Sequence, residues 1–317
     1  MTASIANYII AALCVTATAI SAGISQGLTN RASLKAIDLQ PAAQDNISKL
    51  ALISSALIET SAIIGVFVAM LLLIEDVPLA SVFYSDLAKM GVGFAIVSSG
   101  MVVGLASAWP AQEACLTTAR QPFHAQSIFN FTLIVLSILQ TPLILAFIVA
   151  WLIKAQALSA VYLADSLRLI GAGIAIGVGS IGPVIGLAHF SRMALRGIGI
   201  NRNAYTQILT FTFISQAIIE SPVIFAMITS LVLLFSQTAP DNDIAGIAML
   251  AAGIATGLGM FGPGLSSART AASACYQIAF APEHYGSLSR TSIFAQGVID
   301  TAAIYVLLLS LMTIFII

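Results

Sequence analysis

Charge is what this chain has least of. Lys, Arg, Asp and Glu make up 8% of its 317 residues, against about 25% in soluble domains. With a mean hydropathy of +1.02, there is almost no room for a soluble domain. The net charge is −1, so no basic excess points to nucleic acid. Cysteine is nearly absent too: Cys14, Cys115 and Cys275 are the only three. The count is odd and no metal spacing such as C-x-x-C appears, so these residues read as small packing side chains. No nucleotide-binding signature occurs, so no nucleotide chemistry is assigned to the chain, and no cofactor is expected. The stretch up to Ser25 lacks the basic start of a signal peptide and reads as a first helix.

Long apolar runs fill the chain instead. One extends from about Ile208 to Phe235 with Glu220 near its centre. Eighteen or more mostly apolar residues read as a transmembrane helix. A carboxylate at the bilayer centre costs about 2.5–3.5 kcal/mol on insertion scales, which makes Glu220 a functional candidate. It has counterparts. Glu59 and Gln140 precede it and Asp300 follows it, at nearly equal intervals along the chain. Each follows Ile or Leu, precedes Ser or Thr, and has Ile four residues on. The chain is therefore a fourfold repeat, divided at 1–80, 81–160, 161–240 and 241–317.

Hydropathy and helix breakers predict eight helices, at 5–30, 48–74, 86–118, 127–154, 166–198, 206–236, 244–278 and 290–317. The fold class is an all-α membrane protein of four tandem helical hairpins. The first helix of each pair is rich in small residues, as in Gly171, Gly173, Gly177, Gly179 and Gly182. Such helices approach closely in lipid, and four of them suit the inside of a ring. The acid-bearing helices then lie outside. Nine of the twelve basic residues fall in or beside the within-hairpin loops, and Lys89, Lys154 and Arg168 are assigned to the connections between hairpins. The positive-inside rule puts the within-hairpin loops in the cytoplasm. The acids Glu75, Asp76, Asp86, Asp165, Asp241 and Asp243 fall on the other side.

A small-faced helix, a short polar loop and a second helix with a mid-membrane acid resemble the c subunit, or proteolipid, of rotary ATP synthases. The residues that carry the likeness are the glycine run Gly171–Gly182, the loop Arg120-Gln121-Pro122 and the acids Glu59, Glu220 and Asp300. The first repeat keeps Gln40-Pro41 in its loop, the fourth keeps Pro282, and the third departs with Asn201-Arg202. The likeness covers nearly the whole chain, four times over. It implies a rotor ring of several copies in lipid, turning against a stator a-type subunit that supplies an arginine. Central-stalk subunits would contact the loop at Arg120, Gln121 and Pro122. Three chains would make twelve hairpins with nine acids, and other closures are open. The resemblance implies a multi-pass protein of a bacterial inner membrane. The usual F-type subunit is one hairpin and the V-type two, so four in one chain departs from both. Gln140 departs as well, because it cannot ionise.

Burial of a carboxylic acid disfavours its charged form, so a protonated acid can face lipid and release its proton beside a fixed cation. The hydroxyls of Thr60, Ser221 and Thr301 follow the acids and either bond them, help to hold a cation, or bond their own backbone. Gln26 on the first helix, taken with Glu59 and Thr60, matches the resemblance's sodium pattern in the first repeat. The aligned positions elsewhere are Ser107, Leu187 and Ser267; Gln216 and Gln296, each four before its acid, could substitute. Ligands this irregular favour protons over sodium. Glu113 reads as a solvated helix-end charge, His124 and His284 as water-facing, His189 as near the cytoplasmic end of its helix, and Pro142 and Pro222 as kinks. Two rival functions are a secondary transporter, usually built from inverted repeats with broken helices, and a channel-forming proteolipid without a rotary role.

Overall fold

The computed structural model describes residues 5–74, 82–237 and 242–316. Glu75, Asp76 and Asp241 lie outside the described residues. Within them there is no β-strand, and eight helical spans are long and apolar enough to cross a membrane: Ile5–Leu39, Pro41–Leu73, Phe83–Arg120, Pro122–Ala157, Leu163–Ile200, Arg202–Phe235, Asp243–Phe280 and Pro282–Ile316. They run further than the expected bounds. A hydropathy window sees only the lipid-embedded part, while Asn30, Arg31, Lys35 and Asp38 continue the first helix without breaking it. At 1.5 Å per residue, spans of 33–38 residues exceed the roughly 30 Å hydrocarbon core.

The helices are α1 (Ile5–Leu39), α2 (Gln44–Leu73), α3 (Val82–Ala106), α4 (Ala108–Arg120), α5 (Ala125–Leu139), α6 (Thr141–Ala157), α7 (Leu163–Gly179), α8 (Ile181–Ile200), α9 (Tyr205–Phe235), α10 (Asp243–Gly259), α11 (Phe261–Phe280) and α12 (Tyr285–Ile316). Four spans are thus interrupted at a single residue. The interruptions fall at Ser107, Gln140, Ser180 and Met260. Each comes two or three residues before a proline: Pro110, Pro142, Pro183 or Pro263. Proline has no N–H to donate and its ring crowds the carbonyl four residues back. The interrupting residues keep right-handed helical dihedrals, so the chain direction carries on. Pro222 is different: it lies inside α9, which is not interrupted there.

Each hairpin closes through one 3-10 turn, at Pro41–Ala43, Pro122–His124, Arg202–Ala204 or Pro282–His284. The third lacks the proline yet forms the same turn, because the Asn201 side chain accepts from the Asn203 amide at 3.0 Å.

The first spans pack side by side in chain order. α1 lies against α3 and α4, α3 against α7, α4 against α8, α7 against α10, and α8 against α11. The second spans cover one side of this row, with α2 on α1, α6 on α3 and α7, α9 on α7 and α11, and α12 on α11 and α9. Glycine permits the close approach. A methyl at Gly173 would collide with the carbonyl of Gly91, and one at Gly253 with the carbonyl of Gly171. The middle of the row is the most enclosed: 78% of the fifth span's window is buried, against 39% for the first and 44% for the seventh. The row therefore has open ends.

The three basic residues assigned to the connections lie on the connection-side ends of helices. Lys89 is fully buried in α3, and Lys154 belongs to α6. Arg168 on α7 donates to the carbonyls of Leu233 at 3.0 Å and Ser236 at 2.8 Å, which serves carbonyls that the end of α9 leaves without amides.

Candidate functional site

The four hairpin turns end at Ala43, His124, Ala204 and His284, and Glu59, Gln140, Glu220 and Asp300 follow them at one and the same interval. At 1.5 Å per residue that interval is about 24 Å along the second span for all four. The polar positions share one level.

What meets them comes from the repeat before. The Thr141 hydroxyl, one residue past Gln140, lies against Glu220. Ser221 Oγ, one residue past Glu220, lies 2.6 Å from Asp300 Oδ2. Gln140 Nε2 donates to the Leu57 carbonyl at 3.2 Å. Glu59 belongs to the first repeat and is exposed. At the other end, the exposed Thr301 hydroxyl donates to its own helix at the Val298 carbonyl, 2.7 Å away. Of the alternatives open to these hydroxyls, Thr301 bonds its own backbone, and Ser221 bonds both its own backbone and the acid of the next repeat. Sequence reasoning passed over Thr141, although it occupies the same position as the three hydroxyls that were named.

Ser221 has a second role. Its Oγ also lies 2.8 Å from the Ile218 carbonyl, the one that Pro222 leaves without its usual amide. A hydroxyl has one hydrogen to donate. Both contacts stand together when Asp300 carries a proton and donates to Ser221 Oγ, while Ser221 donates to Ile218. An ionised Asp300 accepts only, so it competes with the carbonyl for that single hydrogen. Glu220 Oε1 and Asp300 Oδ1 are buried oxygen atoms with no hydrogen-bond partner among the described residues.

The amides near the acids hold serines. Gln216 Nε2 bonds Ser191 Oγ at 3.2 Å, and Gln296 Nε2 bonds Ser215 Oγ at 3.2 Å and Ser292 Oγ at 3.1 Å. Gln26 Nε2 donates to the Ser55 carbonyl at 3.1 Å, one turn before Glu59. Thr60 is partly exposed.

The loop residues lie together at the turn end. Arg120 Nη1 donates to Glu113 Oε1 at 3.0 Å, Arg192 Nε lies 3.5 Å from Glu113 Oε2, and Gln121 Nε2 donates to the Gly199 carbonyl at 3.3 Å. Glu113, expected in solvent, is only 4% exposed. Its carboxylate joins the second hairpin to the third, a pairing that depends on lateral packing of α4 on α8. His284 is exposed and His124 partly so. His189 is not at its helix end but well inside α8, which runs on to Ile200.

Known proteins match this pattern. The family model for the ATP synthase c subunit fits residues 9–72 and 250–313, on the first and last repeats. An ATP synthase c subunit of Dehalococcoides mccartyi is 43% identical over 72 residues, covering 23% of this chain and 95% of that protein. The ATP synthase c subunit numbered 2 in Cereibacter sphaeroides is 41% identical over 79 residues, covering 25% of this chain and 93% of its own length. The one numbered 1 in Pelobacter propionicus is 36% identical over 75 residues, covering 24% and 80%. Each of these relatives corresponds to about one quarter of the chain.

Proposed function

Because the chain belongs to the c-subunit family of ATP synthases, we propose that it is a rotor-ring subunit that moves protons across the membrane on Glu59, Glu220 and Asp300. It is an integral multi-pass membrane protein, and the ring reading gives its open-ended row of hairpins a means of closure. Copies of the chain join end to end, with the small-residue spans inside and the acid-bearing spans outside. The acid of Glu59 then takes its hydroxyl from Thr301 of the preceding copy, repeating the Thr141–Glu220 and Ser221–Asp300 contacts. An a-type stator subunit supplies the arginine that ionises each acid as it passes. Central-stalk subunits bear on the turns near Arg120, Gln121 and Pro122, on the cytoplasmic side of a bacterial inner membrane.

The observation that carries the proton reading is the shared hydroxyl of Ser221, 2.6 Å from Asp300 Oδ2 and 2.8 Å from the Ile218 carbonyl. A protonated acid satisfies both contacts without a metal. For sodium, the first repeat offers Gln26, Glu59 and Thr60, but the position aligned with Gln26 in the third repeat is Leu187, which has no ligand atom. Gln140 carries no ion, and each chain moves three protons per passage.

Labelling the protein in its membrane with a hydrophobic carbodiimide tests this. Peptide mapping is expected to find the label on Glu59, Glu220 and Asp300, reduced at high pH and unaffected by added sodium. Protection by sodium would overturn the proton assignment. Failure of all three acids to react would overturn the sites.

A further inference from the structure

The side of the row away from the second spans carries a second polar feature that ion transfer does not use. α8 is packed by α4 and α11 at its sides and by α9 on one face, so its open positions form a single stripe. Ile185, His189, Arg192, Arg196 and Ile200 lie on it, spaced three or four residues apart. Neighbouring helices add to it. Arg269 on α11 is exposed, and His189 lies within electrostatic range of both Arg192 and Arg269. Arg196 reaches over the ring of Tyr276 on α11, 5.8 Å from its centre.

The charges do not balance. α4, α8 and α11 carry Arg120, Arg192, Arg196 and Arg269, and Glu113 is the only acid on them. Glu113 is shared by Arg120 and Arg192, yet the Arg192 side chain is still 49% exposed.

Depth makes this excess informative. His189 and Arg269 stand at equal intervals before Asn201 and Ala281, the residues that open their turns. At 1.5 Å per residue they lie about 18 Å from the turn, some 6 Å short of the acid level. If the acids mark the bilayer centre, Arg269 and His189 are inside the hydrocarbon, whose half-thickness is about 15 Å. Basic groups at such depth pair with an anion or reach for the headgroups. Above them the stripe turns apolar through Ile185, Val178 and Ile174, each partly exposed. A cationic foot beneath an apolar strip matches one lipid shape.

We propose that this stripe docks an anionic phospholipid, its phosphate held by Arg192, Arg196 and Arg269 beside His189, and its acyl chains lying along Ile185, Val178 and Ile174. The occupant is chosen by charge complementarity: a zwitterionic lipid brings its own cation into the cluster, and an anionic one does not.

The test uses the full chain in nanodiscs of mixed phosphatidylcholine and phosphatidylglycerol, with the retained lipid counted by mass spectrometry after mild detergent release. Phosphatidylglycerol is expected to be enriched over the bulk ratio on the order of fivefold, the effect of about one basic residue near an anionic headgroup. R192Q/R269Q is expected to return the ratio to bulk, and R202Q, on an exposed turn, to leave it enriched. Retention at the bulk ratio by the unaltered chain overturns the proposal, and this arm does not depend on the variants folding. Enrichment that survives in a folded R192Q/R269Q protein overturns it as well. The readout involves no ion transfer, so its failure is separate from failure of the proton assignment.

Discussion

Ser221→Ala offers the sharpest perturbation of the site. It removes the one hydroxyl that touches both Asp300 Oδ2 and the Ile218 carbonyl. Leaving a buried acceptor without a partner costs about 1–3 kcal/mol, and here the carbonyl has no amide to fall back on because Pro222 occupies that position. Asp300 is only partly buried, so its share of the loss is smaller. The expected destabilisation is about 2 kcal/mol. Pro222→Ala supplies the missing N–H to Ile218, so Ser221→Ala in that background is expected to lose about half its effect. The four proteins form a double-mutant cycle, read by denaturant unfolding of the full chain in mixed micelles. A coupling of about 1 kcal/mol fits a hydroxyl shared between the two acceptors. Equal costs of Ser221→Ala in both backgrounds would refute the reasoning, as would a cost near zero.

Further outcomes follow from the same contacts. Gln140→Glu is expected to raise the proton-to-ATP ratio of a working complex by one third, from three carriers per chain to four; an unchanged ratio, measured at thermodynamic balance, counts against Gln140 as an idle position. Thr301→Ala is expected to alter carbodiimide reactivity at Glu59 in the assembled ring and not in the isolated chain, because that hydroxyl comes from a neighbouring copy. An equal effect in both preparations would sink the trans contact. Gly173→Ala is expected to cost about 1–3 kcal/mol by overpacking against the Gly91 backbone, seen as a lower unfolding midpoint. Gly297→Ala, where a methyl meets nothing, serves as the comparison and is expected to gain about 0.5–1 kcal/mol from helix propensity alone.

Much of the fold is legible in the residues. Glu59, Gln140, Glu220 and Asp300 are nearly evenly spaced and share flanking residues, and that spacing is enough to place them at one level. Helix ends were less legible, since polar residues such as Asn30 and Asp38 extend α1 beyond its apolar stretch. The partners of the acids were not legible, because a hydroxyl beside one acid in the chain sits against the next acid in space. That transfer depends on how α9 lies beside α12, which no single-helix periodicity encodes. Glu113 shows the same limit: its arginines arrive partly from α8, and only packing between repeats buries the carboxylate. The prolines were visible, yet Pro142 accompanies an interruption and Pro222 does not.

The four hairpins are one polypeptide, and the row they form has a fixed order. Any wheel assembled from whole chains therefore inherits its count in multiples of four, with Gln140 recurring at every fourth seat. Such a wheel cannot turn in identical increments. Under load it should pause unevenly, with two similar steps and then one double-length arc, a rhythm dictated by the gene rather than by how many chains happen to assemble.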